Sequence, residues 1–492
     1  MTQFSVSIPL YTIAVILFIW YLVVVGLAYN GFVEIFRKFN NSLRSKIDCK
    51  IIDSELEGVS ILRPIKGVDP EMEICLQSSF QQDYALDKFE IIFCVQDSKD
   101  PAINLVERLI AKYPHVDAKL MIDDQANKAN YGPNPKVNNL AKGYKAAKFD
   151  ILWVQDSNVW SRPDVLRRSV YSLTHSLDNG RTTKRPVKLI HHAPMATCLT
   201  QNGELSSLGA QLDEMFLATS HSKFYVSLNK VAVAPCVNGK SNLYKRSELD
   251  DAVKKMGDLA EVASIDGQSG DRLQDAKYYS LTPGEGLRFF ARYIGEDNMI
   301  GIALWDFGHG RTGMTGDCVM QPSSGYNSIF DYCVRRMRWL RVRKYMVLAA
   351  TLLEPTTECI LCGTFGTFAI SVLFFNQFFS RAWFVFHVMI WFLTDFIQFH
   401  YLFSCVRMNN GSSDTSSTTT GNGSQPFFLN ESFNMGFRFK GHRFRSLKKF
   451  VPIWILREIL AFPVWLVAIL GSRIDWRGQP FKIKADLSAE RL

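Results

Sequence analysis

Apolar and polar positions divide the chain into three stretches of different character. Residues 1–33 carry no charge, the first charged side chain being Glu34, and residues 7–29 form one apolar run. A helix needs about 20 apolar residues to cross roughly 30 Å of hydrocarbon, so this run predicts a transmembrane anchor. A cleavable signal peptide would open on cations and have a shorter apolar run. Arg37, Lys38, Arg44, Lys46 and Lys50 follow the anchor, and by the positive-inside rule the chain after it is expected in the cytosol.

Toward the carboxyl end, residues 359–380 are uncharged and residues 382–406 are apolar apart from Asp395, which predicts two spanning helices in a tight hairpin at Ser380-Arg381. Residues 345–353 read as an interfacial helix leading into them. Residues 409–425 are a Ser/Thr/Gly-rich tract that cannot bury a core and is expected to be disordered, and a basic stretch from Arg438 to Lys449 follows. Its sequons at Asn410 and Asn422 are expected to stay unmodified in the cytosol. Residues 450–472 are apolar around Arg457 and Glu458, which leaves a spanning and an interfacial helix both open.

Between these ends the period changes. Short apolar runs at residues 59–62, 90–95 and 150–154 predict buried strands, and segments of helical spacing lie between them, including 101–112 and 136–147. Alternation of this kind predicts an α/β domain on a mainly parallel sheet, with ligands beyond the carboxyl ends of the strands. The expected organisation is an anchor (1–33), a cytosolic α/β domain (54–344), an interfacial helix with two spans (345–406), a basic loop with its disordered insert (407–449), and a membrane segment with tail (450–492).

Composition alone would have hidden this pattern, since 47% hydrophobic and 21% charged residues are ordinary for a soluble protein. Ten scattered cysteines exclude a disulfide scaffold, and Cys359-x-x-Cys362 opens a membrane helix, so packing is expected of it. Much of the net charge of +9 lies at membrane boundaries; residues 335–344 hold six cations in ten positions. Such a run suits anionic lipid, although that role does not explain Trp339 inside it.

Two predicted strands end in carboxylates, Asp97 and Asp156, on what should be one rim. Between them Asn134-Pro-Lys-Val-Asn-Asn139 places Lys136 at a helix start, where backbone N–H groups favour an anion. A carboxylate able to hold a divalent cation, beside a lysine, suits a nucleotide diphosphate. No P-loop or dinucleotide fingerprint is present. Gly295-Glu-Asp-Asn298 adds Glu296 and Asp297 before a helical stretch, where first-turn dipole complementation is the simplest role.

In order and spacing, Asp97, Asp156, Asp297 and Arg335-x-x-Arg338-Trp339 resemble the inverting glycosyltransferases of family 2/21 type, with a Rossmann-like GT-A fold. Lys66-Gly-Val-Asp-Pro70, Cys94-Val-Gln-Asp97, the Asn134 motif and Thr219-Ser-His221 narrow the resemblance to the ceramide glucosyltransferases. The polar stretch at 251–283 and the Ser/Thr tract suggest a fungal-type member. The resemblance implies transfer of glucose from UDP-glucose to ceramide at a Golgi or ER membrane, with Asp297 as general base and Asp156 on Mg²⁺ or Mn²⁺. It implies substrate binding by Asp97, Lys136, His221, Arg335, Arg338 and Trp339, and a departure at Asn158, where a small residue is usual. Cys236 falls in a matching stretch and is expected to line the site without doing chemistry. A processive polysaccharide synthase, a transferase for another lipid, and a non-catalytic membrane scaffold are the alternatives; the first needs a polymer channel that three or four spans hardly supply, and the intact aspartates argue against the last.

Overall fold

The computed structural model describes residues 7–123, 130–198, 200–201, 204–205, 207–265, 274–323, 326–406, 436–439, 442–476, 478–484 and 487–492. The low-complexity tract, both sequons and part of the 251–283 stretch lie outside the described residues.

All three predicted strands are present, two of them longer than expected and the third shifted by one residue: β1 (Val59–Ile65), β2 (Phe89–Val95) and β4 (Ile151–Gln155). They are buried along their whole length, which is why they read as unbroken apolar runs rather than alternating ones. With β3 (Ala118–Ile122), β5 (Val187–Cys198), β6 (Ser241–Lys245) and β7 (Arg311–Ser323) they form a seven-stranded sheet in the order β3-β2-β1-β4-β6-β5-β7. Only β6 runs antiparallel to its neighbours. The carboxyl ends of β1, β2 and β4 therefore share one edge, as the α/β expectation requires.

The amino-terminal apolar run is one helix, α1 (Ile8–Lys38), and the predicted helix at 136–147 is α2 (Pro135–Ala146). Three further helices matter for the cleft: α3 (Leu208–Phe216), α4 (Ser222–Val231), and α5 (Glu296–Ile302). A π-turn, Leu217–His221, joins α3 to α4. The basic run lies on α6 (Ile329–Met346), which Ser328 and Asp331 start with a reciprocal capping box. The chain breaks at Val347, two residues later than the interfacial helix was expected to begin, and continues as α7 (Leu348–Leu353). Leu348, Leu352 and Leu353 of α7 are exposed.

Among the described residues, three helices are long and apolar enough to cross a membrane: α1, α9 (Arg381–Val406) and α10 (Leu447–Leu470). The expected span at 359–380 is shorter, a 16-residue helix α8 (Cys359–Phe374) bent by 83° from the preceding Leu348–Thr357 segment, and it makes a fourth crossing only if that bent pair is one span. Arg457 and Glu458 do not interrupt α10, because both are buried against protein. Arg457 donates to Thr219 Oγ1 (2.9 Å) and pairs with Asp395 (3.4 Å) and Glu458. Asp395 also receives Lys223 Nζ (2.7 Å) and Trp454 Nε1 (2.8 Å). The carboxylate in the α9 span is thus a bolt between α4, α9 and α10, the arrangement that makes a charge tolerable at membrane depth. Cys359 and Cys362 are buried in the same apolar cluster, as free thiols.

Helix α1 does more than cross. Gly31 lies so close to α4 that a Cβ there would fall 1.9 Å from the Lys223 carbonyl oxygen, and Asn30 donates to Ser227 Oγ at 2.9 Å one residue before. Only glycine permits this approach, and it fastens α1 against the α/β domain.

Candidate active site

A cleft of ≈ 1760 Å³ opens at the carboxyl edge of the sheet and is lined by Asp97, Lys136, Asp156, His221, Asp297 and Trp339, together with Arg335 and Arg338. All eight residues expected from the sequence therefore face one space. Their elements explain the convergence: Asp97 and Asp156 follow β2 and β4, Lys136 is in the first turn of α2, Asp297 in that of α5, and Arg335, Arg338 and Trp339 fall on one face of α6.

The Asn134 motif works differently from its expected anion cradle. Asn134 Oδ1 accepts from the backbone N–H groups of Lys136 (2.8 Å) and Val137 (3.2 Å), so the free helix-start amides expected to attract a phosphate are already capped. The positive charge offered to the cleft is instead the Lys136 ammonium. Asn134 Nδ2 donates to Glu296 Oε2 (2.9 Å), and Asn139 Nδ2 donates to the carbonyls of Ile65 (3.0 Å) and Cys94 (2.7 Å), tying the ends of β1 and β2 to α2.

At the centre is a charge lattice. Lys136 Nζ lies 2.8 Å from Asp156 and 3.1 Å from Glu296, and donates to the Gly239 carbonyl at 3.0 Å. Lys240 Nζ takes the other oxygen of Asp156 at 3.0 Å and donates to Asn158 Oδ1 at 3.3 Å. Burial opposes both charges of the Lys136–Asp156 pair, but their mutual attraction, with Lys240, wins. Asp156 is held well below the usual carboxylate range and Lys136 well above the usual ammonium range.

Asp297 has the opposite balance. Burial, and then the neighbouring Glu296 carboxylate, push its pKa up to about 7, with Lys136 only partly compensating. A carboxylate poised there has the basicity of a general base at neutral pH. The backbone passes very near it at Gly239, where a Cβ would sit 3.1 Å from Asp297 Oδ2 and 3.4 Å from Lys136 Nζ.

Asp97 is exposed at the rim and accepts from the Lys99 backbone N–H at 3.0 Å. His221 ends the π-turn, with its ring stacked on Tyr225 (centroids 5.1 Å) and 6.4 Å from Trp339. Burial, then Arg336 and Arg343, lower its pKa to about 3, so the imidazole is neutral, and its Nδ1 has no partner among the described residues. Cys236 lines the cleft, and burial keeps its thiol protonated.

The six-cation run is divided among protein partners rather than left to lipid. Arg335 pairs with Asp213 of α3. Arg336 lies 3.5 Å over the Phe216 ring and, with Arg343, pairs with Glu354 (3.5 and 3.1 Å). Arg341 donates to the Val467 carbonyl (3.1 Å) and Lys344 to those of Ile469 (3.0 Å) and Gly471 (2.7 Å), which caps the carboxyl end of α10.

Lys240 was missed by the sequence analysis, as was the fully buried Arg63 of β1. Arg63 donates to the carbonyls of Asp156 (2.7 Å) and Val159 (2.9 Å) and so fixes the loop that carries Asp156. Neither residue's link to Asp156 is marked locally, because Asp156 is 84 positions from Lys240 and 93 from Arg63.

The sequence matches the glycosyl transferase family 21 pattern over residues 18–279, 279–410 and 430–489. The chain belongs to that family. It is 54% identical to a ceramide glucosyltransferase of Komagataella phaffii over 99% of this chain and 94% of that one. It is 45% identical to that of Candida albicans over the whole of both, and 34% identical to that of Gibberella zeae over 98% and 94%. Among solved structures, a Pyrobaculum calidifontis mannosyltransferase in complex with GDP-Man and Mn²⁺ aligns over 80% of this chain and 97% of its own with a TM-score of 0.40 and 13% identity, too remote for any residue's role to carry over.

Proposed function

We propose that this family 21 enzyme transfers glucose from UDP-glucose to the primary hydroxyl of ceramide with inversion, giving β-glucosylceramide and UDP. One observation carries the reading. A single cleft joins the charge lattice, suited to a nucleoside diphosphate, to side chains of a membrane-crossing helix, Trp20, Val24 and Leu27, suited to a lipid. The full-length fungal relatives that bear the name ceramide glucosyltransferase support the choice of acceptor.

In this mechanism Asp297 takes the proton of the ceramide hydroxyl as its oxygen attacks C1 of glucose, and UDP leaves from the opposite face with the bonding pair. One displacement inverts the anomeric centre. Lys136 offsets charge on the diphosphate, Asp97 contacts the uridine, and Arg338 and Trp339 lie over the diphosphate and the acceptor opening. A guanidinium suits bidentate phosphate contact in a way that an ammonium does not. Neutral His221, with its unpartnered Nδ1, faces the acceptor side. Arg335, already paired to Asp213, holds α6 in register with α3.

Asp156 and Asn158 fit a divalent cation: their oxygens already converge on a positive charge, the Lys240 ammonium, and one carboxylate plus substrate phosphates is a usual Mg²⁺ environment. A bound Mg²⁺ or Mn²⁺ would act as a Lewis acid for the departing UDP. The catalytic domain faces the cytosol at a Golgi or ER membrane, where it meets UDP-glucose.

Membranes containing the protein, incubated with labelled UDP-sugars and a panel of lipid alcohols, test this. Labelled glucosylceramide is expected; polymer, another glycolipid or no product overturns it.

A further inference from the structure

The cleft extends past the chemistry. Beyond the charge lattice its walls become Trp20, Val24 and Leu27 of α1, Phe224 and Leu228 of α4, and Leu353 of α7. The first three lie on one helical face (i, i+4, i+7), and together they cover about 10 Å of a helix long enough to span the bilayer. On the opposite face of α1, Tyr11, Leu22 and Tyr29 are exposed. Between the two ends sits a polar collar, with Arg336 and Arg343 on Glu354, and Ser220 donating to Glu358 at 2.9 Å. Trp20 is fixed within this arm by its indole N–H, which donates to Thr356 Oγ1 at 2.7 Å.

We infer that this arm is a binding site for one hydrocarbon chain of the lipid acceptor, and that Trp20 is its floor and the residue that selects chain length. The inference rests on the proposed lipid acceptor. Continuity with Asp297 commits the arm to that occupant: an amphiphile with its hydroxyl at the carboxylate has its polar group at the collar and its tail along α1. Moving a chain from bilayer to arm gains little from apolarity, since lipid tails are as apolar as leucine. The arm's contribution is therefore shape: it orients the hydroxyl and limits the tail.

The test uses the full chain in lipid nanodiscs with UDP-glucose and ceramides in which the acyl chain or the base chain is shortened separately. Leu228→Trp, which narrows the arm, is expected to lower kcat/KM at least tenfold for the parent ceramide and less than twofold for one of the shortened ones. Trp20→Ala is expected to move the preference toward longer chains. Equal loss on every ceramide, or no change on any, overturns the inference. Photocrosslinking with a ceramide bearing a diazirine on its chain is read separately from turnover. Labels on Leu27, Phe224 or Leu228 support the arm even if glucose is not transferred, in which case only the proposed reaction fails. Labels confined to Tyr11, Leu22 and Tyr29 overturn it.

Discussion

Two clusters of buried charge stand on either side of the π-turn Leu217–His221, and they are put to opposite uses. Around Asp395, every strong contact is internal: Lys223, Trp454 and Arg457 converge on one carboxylate, and neither it nor Lys223 nor Arg457 lines the cleft. Around Asp297, two lysines serve three carboxylates, Asp156, Glu296 and Asp297, and all five side chains line the cleft. Burial and then the Glu296 carboxylate raise the pKa of Asp297, and the lysines, used first by Asp156 and Glu296, offset this only in part. A buried carboxylate surrounded by cations serves as a structural fastener. One left short of cations at an open surface retains a proton affinity that chemistry can use.

The comparison breaks most sharply if the carboxylates are exchanged in role. Asp297→Asn is expected to lower turnover by about 10²–10⁴-fold, the usual cost of losing a general base, with UDP-glucose binding by calorimetry unchanged. Near-normal turnover would remove Asp297 from the chemistry. Arg457→Leu should act on the other cluster: leaving Asp395 and Glu458 short of a partner costs about 3–5 kcal/mol, read as lost folded protein in membranes while the activity per folded molecule persists. Gly239→Ala is milder. Its methyl group would press on Asp297 and Lys136, and a loss of roughly tenfold in kcat with normal yield is expected from a misplaced base.

The smallest effect concerns pH. The proposed base Asp297 has to act deprotonated, so kcat/KM should fall as pH drops through about 7. Glu296→Gln removes the like charge and leaves Lys136 freer to act on Asp297, so the acidic limb should move to lower pH. A limb that stays in place would mean that Glu296 does not set the basicity of Asp297.

The sheet was legible because strands buried on both faces leave unbroken apolar runs, and the strand-end aspartates because a parallel sheet gathers such ends on one edge. Asp297 was legible only through its order after the other two. The sequence could not show that Asn134 would consume the amides of its own helix, since Asn134 serves equally well as a cap or as part of an open anion site. Nor could it divide residues 335–344 among Asp213, Glu354 and the end of α10, partners set by the meeting of three helices. Arg457 and Glu458 left α10 undecided for the same reason: in isolation they lower its apolarity, and only Thr219 and Asp395 show where their charge goes.

Gly31 bears on how the molecule must be made. By fastening α1 to α4 at the Lys223 carbonyl, it turns the earliest membrane helix into a wall of the cleft, while Gln479 and Arg491, near the other end of the sequence, line the same cleft. Asp297, the proposed base, is synthesised between them. A ribosome that has already delivered Asp297 has thus made the proposed base but not yet the whole cleft, which is complete only when the segments before and after it have docked.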